Sequence, residues 1–394
     1  MVLSYDIVVG IPSYNEADSI GYVAQQIDKG LLKYFPDKKA IIVNVDNNSP
    51  DNTKGAFLGT ETKTEKKYIT TPPGIKGKGN NFYNLFKFIQ NTDAKAIVVV
   101  DADLKSITPE WVGKFCTSVF NGSDYVTPLY LRHKYDGTIT NMIVFPLVYS
   151  LFGKFVRQPI GGDFAFSKKF ADYCLEREWS ETTRQYGIDI FLTLNAIVGG
   201  FKISQVELGA KIHKPSAPKL GPMFVQVVNT LFDTIIKNID IIKQNSGEEI
   251  RAEEKQRQEP PHLDVDVFSM HKNCVEEFEH SKEILKKIIP EALFSTLEKI
   301  FSEESPVLSK ELWAEVVFEM LARYSTYSNK KALIESLKPV YFLRTYSFIK
   351  QTFKLTSNEA EKLIIEQAEE FKRKKGIFLE KGINQQHTSN IPLI

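Results

Sequence analysis

The run Ala96–Val100 is apolar at every position. A strand without a polar face is one buried on both sides, as in a parallel sheet covered by helices. Asp101-Ala102-Asp103 follows at once. Two carboxylates at the carboxyl end of a strand are spaced to face one divalent cation. Magnesium or manganese suits them, because hard cations prefer oxygen ligands. The same triplet is common as a solvated turn, so its surroundings decide its meaning.

Those surroundings alternate strand and helix patterns. Strands are expected at Tyr5–Ile11, Lys39–Asp46, Lys67–Thr70 and Ala96–Val100, with helices at Ala17–Phe35, Thr53–Leu58 and Asn80–Gln90. Further on the pattern is less regular. Asp124–Leu131, Phe164–Ser167 and Phe201–Leu208 read as strands, Gly187–Ile197 and Met223–Lys243 as helices. Such alternation builds a mostly parallel α/β sheet with ligands at the carboxyl ends of its strands. Gln244–Asp266 is charged and ends near Pro260-Pro261, which reads as a linker. Beyond it, Leu312, Val316 and Met320 with Trp313, Val317 and Leu321 form a broad apolar stripe at helical spacing. The expected organisation is an α/β catalytic domain over 1–243, a linker over 244–266, an α-helical domain over 267–383 and a mobile tail over 384–394.

Composition narrows the function. A net charge of +1 argues against a general nucleic-acid binder. Cys116, Cys174 and Cys274 are far apart and odd in number, so neither a disulfide framework nor a zinc cluster is expected. The chain opens directly into a strand pattern, and its longest apolar run, Met142–Phe152, is too short to span a bilayer. A soluble, cytoplasmic protein without a membrane span is expected. Leftover apolar stripes in the helical part leave room for a homodimer.

Polar clusters recur at the predicted strand ends. Pro12-Ser13-Tyr14-Asn15-Glu16 follows the first strand and Asp46 ends the second. Glu16 can complement a helix dipole and touch a ligand together. Asp46 can accept from a base imino group, or bond its own turn. Gly74-Ile75-Lys76-Gly77-Lys78-Gly79 lacks the ending of a Walker loop. It still offers backbone amides, the Lys78 charge and a helix N-terminus to a diphosphate. Gln158-Pro159-Ile160-Gly161-Gly162-Asp163 permits close backbone approach to a sugar, and Asp163 could bond its hydroxyls. Asp189, in Tyr186-Gly187-Ile188-Asp189, enters an apolar helix and needs a partner. His213 follows a strand end, where a third metal ligand would be needed.

In order and spacing, this set resembles retaining glycosyltransferases of the nucleotide-diphospho-sugar-binding (GT-A) fold. The mannosylglycerate synthase group is the nearest likeness, and glucosyl-3-phosphoglycerate synthases share the Gln-Pro-x-Gly-Gly and Gly-x-Asp/Glu signatures. Thr108-Pro109-Glu110-Trp111 after the carboxylate triplet is similar too, as is the helical stretch around Leu312–Thr352. The resemblance implies a donor site of Pro12, Tyr14, Glu16, Asp46, Lys78, Asp101, Ala102, Gly161, Gly162 and Tyr186. It implies a magnesium or manganese site of Asp103 and His213, with Asp101 at the ribose or in the outer shell. Arg132, Asp136, Thr140 and Gly162 would hold a small anionic acceptor, and a planar guanidinium suits a carboxylate. Lys78, Asp189 and Arg132 would carry the chemistry. The implied reaction moves glucose or mannose from a nucleotide-diphosphate sugar to the 2-hydroxyl of D-glycerate or 3-phosphoglycerate, as in compatible-solute synthesis. Tyr186 departs from the pattern, standing where the mannosylglycerate enzyme has tryptophan.

Three other classes compete. An inverting transferase, even a polysaccharide-forming one, would use Asp163 or Asp189 as base; the spanning helices and Gln-x-x-Arg-Trp motif of membrane polymerases are absent from the sequence. A nucleotidyltransferase would show a glycine-rich, arginine-containing loop after the first strand. A sugar-nucleotide sensor would bind without turnover.

Overall fold

The structure is a computed structural model. It describes residues 3–214, 219–244, 259–261, 263 and 267–381, with backbone alone at 267–269. The expected linker lies largely, and the expected tail wholly, outside the described residues.

Along the chain come β1 (Ile7–Ser13), α1 (Ile20–Tyr34), β2 (Ala40–Asp46), α2 (Thr53–Gly59), β3 (Glu65–Thr70) and α3 (Lys78–Gln90). Then follow β4 (Ala96–Val99), α4 (Pro109–Phe120), β5 (Tyr125–Leu131), a π-helical turn (Thr140–Val144) and α5 (Phe145–Phe152). Next are β6 (Phe164–Ser167), α6 (Lys168–Leu175), α7 (Ile188–Val198) and β7 (Ile203–Ala210). The remainder is helical: α8 (Leu220–Lys237), α9 (Ile239–Gln244), α10 (Val267–Ile288), α11 (Glu291–Phe301), α12 (Lys310–Tyr324), α13 (Lys330–Thr352) and α14 (Ser357–Lys374). Contacts divide the chain into two compact units. Met1–Leu131 and Arg157–Thr230 form one; Arg132–Val156 and the chain from Leu231 onward form the other.

The first unit holds a seven-stranded sheet in the order β3-β2-β1-β4-β6-β5-β7. Pairs β1–β2, β1–β4, β2–β3 and β5–β7 are parallel, while β6 is antiparallel to both β4 and β5. This is the mostly parallel α/β sheet expected of the GT-A fold. Every residue of β1 and β4 is buried, because helices cover both faces. On one face α1 presents Ile20, Val23, Ala24, Ile27 and Leu31 at helical spacing, with Trp111, Val112 and Phe115 of α4 beside them. On the other, Phe82, Leu85, Phe86 and Ile89 of α3 pack with Phe191 and Leu192 of α7.

The orientation of β6 matters for the site. Its register, Val99 against Phe164, places the amino end of β6 beside the carboxyl end of β4. Gly161-Gly162-Asp163 therefore meets Asp101, although it precedes its strand. The other strand ends at that edge are Ser13, Asp46, Thr70, Leu131 and Ala210, since β1, β2, β3, β5 and β7 share one direction there.

The second unit is α-helical, in line with the expected C-terminal helical part. Ser309 and Thr356 cap α12 and α14, the latter in a reciprocal capping box with Glu359. Lys134 donates to the carbonyls of Thr352, at 2.8 Å, and Leu355, at 2.5 Å, and so caps the end of α13. The single helix expected at Met223–Lys243 is broken at Asn238, whose backbone N–H turns to the Ile235 carbonyl while its side chain takes that of Thr234. Helices α4 and α6 were not anticipated, and Met142–Phe152 proves helical. Cys116, Cys174 and Cys274 are free and buried. Among the described residues no helix is long and apolar enough to cross a membrane.

Candidate active site

Five distant stretches bring charge together at the strand ends of the first unit. Lys78, on the first turn of α3, lies 2.8 Å from Asp101 Oδ1 and 3.4 Å from Asp189 Oδ1. It also donates to the Gly162 carbonyl at 3.0 Å. Lys211, just past β7, lies 3.0 Å from Asp101 Oδ2 and 2.7 Å from Asp163 Oδ2 and donates to the Gly161 carbonyl at 2.9 Å. Asp101 is thus held between two ammonium groups, which keep its carboxyl far below the usual range against the opposing effect of burial. The same carboxylates drive the Lys78 ammonium far above its ordinary value although burial opposes it.

Close approach explains the paired glycines. Gly162 has φ +93°, and a Cβ there would stand 2.6 Å from Asp101 Oδ2 and 2.7 Å from Lys211 Nζ. The Cβ of any residue at 79 would stand 2.0 Å from the Thr183 carbonyl, so the phosphate-type loop is docked rather than free.

Asp189 opens α7 and is buried, which raises its carboxyl; Lys78 opposes that shift. Its Oδ1 has the Lys78 ammonium as its partner, at the long distance of 3.4 Å. Asp103 is raised by burial first and by Asp101 second, with Lys211 and His213 opposing. Glu16 is raised by burial, against a 2.7 Å pair with Lys214. Lys214 also reaches Asp18 at 2.8 Å.

Several residues expected at the site are engaged in bonds within the protein. Asp46 is fully buried and accepts from the Ser13 hydroxyl at 2.7 Å, the Ser49 hydroxyl and N–H at 2.6 and 2.7 Å, and the Tyr68 hydroxyl at 2.9 Å. It organises its turn, and a base could reach it only by displacing one of those donors. Asp163 is likewise wholly buried, bonded by the Asp101 N–H at 2.7 Å and the Tyr130 hydroxyl at 2.5 Å. It anchors the cluster. Pro12 and Ala102 are buried, whereas Tyr14 is exposed and accepts from Lys76 at 2.6 Å. The Tyr186 N–H donates to Gln226 at 3.1 Å. Arg132, Asp136 and Thr140 belong to the second unit, where Arg132 pairs with Asp136 at 3.2 Å. Lys211, given no role in the sequence analysis, is a buried hub. Its place two residues before His213, at the same strand end, was the available signal.

The residues expected around a metal are Asp101, Asp103 and His213. Among the described residues no three His, Cys, Asp or Glu side chains gather to hold a metal ion. Both oxygens of Asp101 are taken by lysines, and His213 Nδ1 faces the Lys214 carbonyl at 2.7 Å. Asp103, which accepts from the Lys214 N–H at 3.2 Å, remains beside the His213 segment. A carboxylate and an imidazole are donor types that a divalent cation accepts.

Known proteins carry similar features. The family model for the mannosylglycerate synthase GT domain matches residues 60–220. The mannosylglycerate synthase of Rhodothermus marinus is 26% identical over 163 residues, 40% of this chain and 41% of that protein. The glucosyl-3-phosphoglycerate synthase of Petrotoga mobilis (strain DSM 10674 / SJ95) is 26% identical over 225 residues, 52% of this chain and 66% of that one. A crystal structure of glucosyl-3-phosphoglycerate synthase from Mycobacterium tuberculosis, with Mg2+ and uridine diphosphate, overlaps 58% of this chain and 79% of its own, with a TM-score of 0.47 and 24% identity. In its sequence motifs, this chain resembles the mannosylglycerate synthase and glucosyl-3-phosphoglycerate synthase group.

Proposed function

We propose that this chain is a metal-dependent hexosyltransferase. It moves glucose or mannose from a nucleotide-diphosphate sugar to the 2-hydroxyl of D-glycerate or 3-phosphoglycerate, with retention. The observation that carries this reading is the buried convergence of Lys78, Asp101, Asp189, Lys211 and Gly162 at the strand ends. Similarity to the two curated relatives supports it.

In this scheme Asp103 and His213 hold magnesium or manganese, with Asp101 outside the ligand set. The cation supplies positive charge to the departing diphosphate. Lys78 adds a fixed ammonium beside that charge in a site already shielded from water. The glycine-rich turn at 161–162 lets backbone approach the sugar. Asp189 lies under the transferred hexose, where its carboxyl orients a hydroxyl or faces the developing oxocarbenium. Arg132, Asp136 and Thr140 bind the acceptor, the guanidinium matching a carboxylate. Tyr14, Glu16 and Tyr186 line the donor. The acceptor hydroxyl attacks the anomeric carbon from the face the diphosphate leaves and gives its proton to the departing phosphate oxygen, so neither a protein base nor a protein nucleophile is needed.

The burial that raises the Asp189 carboxyl, at the opening of α7 beside Lys78, favours one competing reading, in which that carboxylate is the base of an inverting transfer. Asp163, sealed and paired with Lys211, is unsuited to that task. Incubating the protein with UDP-glucose or GDP-mannose, manganese and either acceptor, then assigning the anomeric configuration by NMR, separates the two. A retained α-anomer supports the proposal and a β-anomer the alternative; no glycoside from any pair refutes both.

A further inference from the structure

The second unit buries an arginine without a matching acid. Arg344 on α13 is 2% exposed, and among the described residues no carboxylate lies within ion-pair distance of it. Burial lowers its guanidinium to about 10, with only the more distant Glu311 opposing. A bare buried cation is expensive unless every N–H has work. Its Nε donates to Gln367 Oε1 at 2.7 Å, and Nη1 donates to the Leu308 carbonyl at 3.2 Å.

Gln367, on α14 and also buried, relays this outward. With its oxygen fixed by Arg344, its amide nitrogen must point the other way. There it donates to the carbonyls of Asn141 and Met142, at 3.0 and 3.3 Å. The indole N–H of Trp313 meets the Met142 carbonyl too, at 2.7 Å. Both carbonyls lie in the π-helical turn Thr140–Val144. A π-turn is a rare register that is frequent at functional sites. Relaxing it to α-helix would shift the register by one residue and rotate the preceding chain by about 100°. Just upstream, Thr138 bonds Tyr341 at 2.6 Å.

We propose that Gln367, oriented by Arg344, is a positioning residue for the acceptor. It holds the π-turn that carries Thr140 and fixes the entry of the loop bearing Arg132 and Asp136. This rests on the acceptor role given to those three residues above. Nothing in the 60–220 segment shared with the family model contains either partner of the clamp.

Gln367→Glu isolates the effect. The carboxylate keeps, and strengthens, the bond to Arg344, but cannot donate to the two carbonyls. The variant should melt no earlier than wild type. Amide hydrogen exchange across 140–146, measured without substrate, should speed up about tenfold. The acceptor KM should rise about tenfold while the donor KM stays within twofold. Gln367→Met, which loses the Arg344 bond as well as the two carbonyl bonds, should match that KM change and melt earlier. Unchanged exchange, or faster exchange with an unchanged acceptor KM, overturns the proposal. A wild type that transfers no sugar to any acceptor refutes the function itself, and the acceptor role of the clamp with it.

Discussion

Replacing Lys211 by methionine tests the charged cluster most directly. The change keeps the length of the side chain and removes its charge. Lys211 is nearly sealed, with 4% of its side chain exposed, and Asp163 is entirely so. Removing one member of a buried pair costs about 3–5 kcal/mol, because the other charge stays behind. Asp163 retains its bonds from the Asp101 N–H and the Tyr130 hydroxyl. Those bonds place the loss at the low end, about 3 kcal/mol. Urea unfolding followed by circular dichroism should show the midpoint falling by up to about 1 M, since the urea slope of a chain this size is about 3 kcal/mol/M or more. Adding Asp163→Asn should recover at least half of the loss. An amide keeps an acceptor for the Asp101 N–H, offers its NH2 to the Tyr130 oxygen and leaves no stranded charge. If the double variant is as unstable as the sum of the single ones, charge pairing at Lys211 is not what holds this edge together.

Three further outcomes can be checked. Gly162→Ala places a methyl group against Asp101 and Lys211 at positive φ, so transfer should fall at least about 100-fold, in a protein destabilised by about 1–3 kcal/mol; near-normal turnover would show that the turn is not closely packed. Asp189 is raised by burial, so the folded protein keeps its proton to higher pH than the unfolded chain does, and the group subtracts stability as pH rises through that raised value. Asp189→Asn should therefore unfold later than wild type at pH 8, with the advantage gone below about pH 4; an equal gain at both pH values would remove the charge as its cause. Lys134→Met strips the cap from the end of α13 and should lower stability by about 1 kcal/mol, read as an earlier melt; a gain in stability would count against the capping role.

Strand ends were the legible part of this chain. Wholly apolar runs such as Ala96–Val100 mark a sheet covered on both sides, and turn residues mark where each strand stops. Direction was not legible. Nothing local to Phe164–Ser167 says that it runs against its neighbours, so the route by which Gly162 reaches Asp101 appears only in the sheet. Carboxylates gave the opposite difficulty. Asp46, Asp163 and Asp189 look alike as letters, yet Asp46 and Asp163 are consumed by short internal bonds while Asp189 has only a long 3.4 Å pair with Lys78 at its Oδ1. Long-range partners decide that, and they lie tens to hundreds of residues away. The same holds for Lys211, whose role depends on three oxygens contributed by two other stretches. Helix α4 could have been drawn, since Pro109 sits at its first turn and Glu110 follows.

The interruption at Arg132–Val156 has a consequence for biosynthesis. On the ribosome the sheet is complete once β7 emerges, whereas the apolar stretch Met142–Phe152 belongs with helices translated more than 150 residues later. That stretch must wait, uncovered, for its partners during synthesis, at about 5–20 residues per second. A nascent chain halted between β7 and α12 should accordingly be an avid chaperone client, and one released after α14 should not.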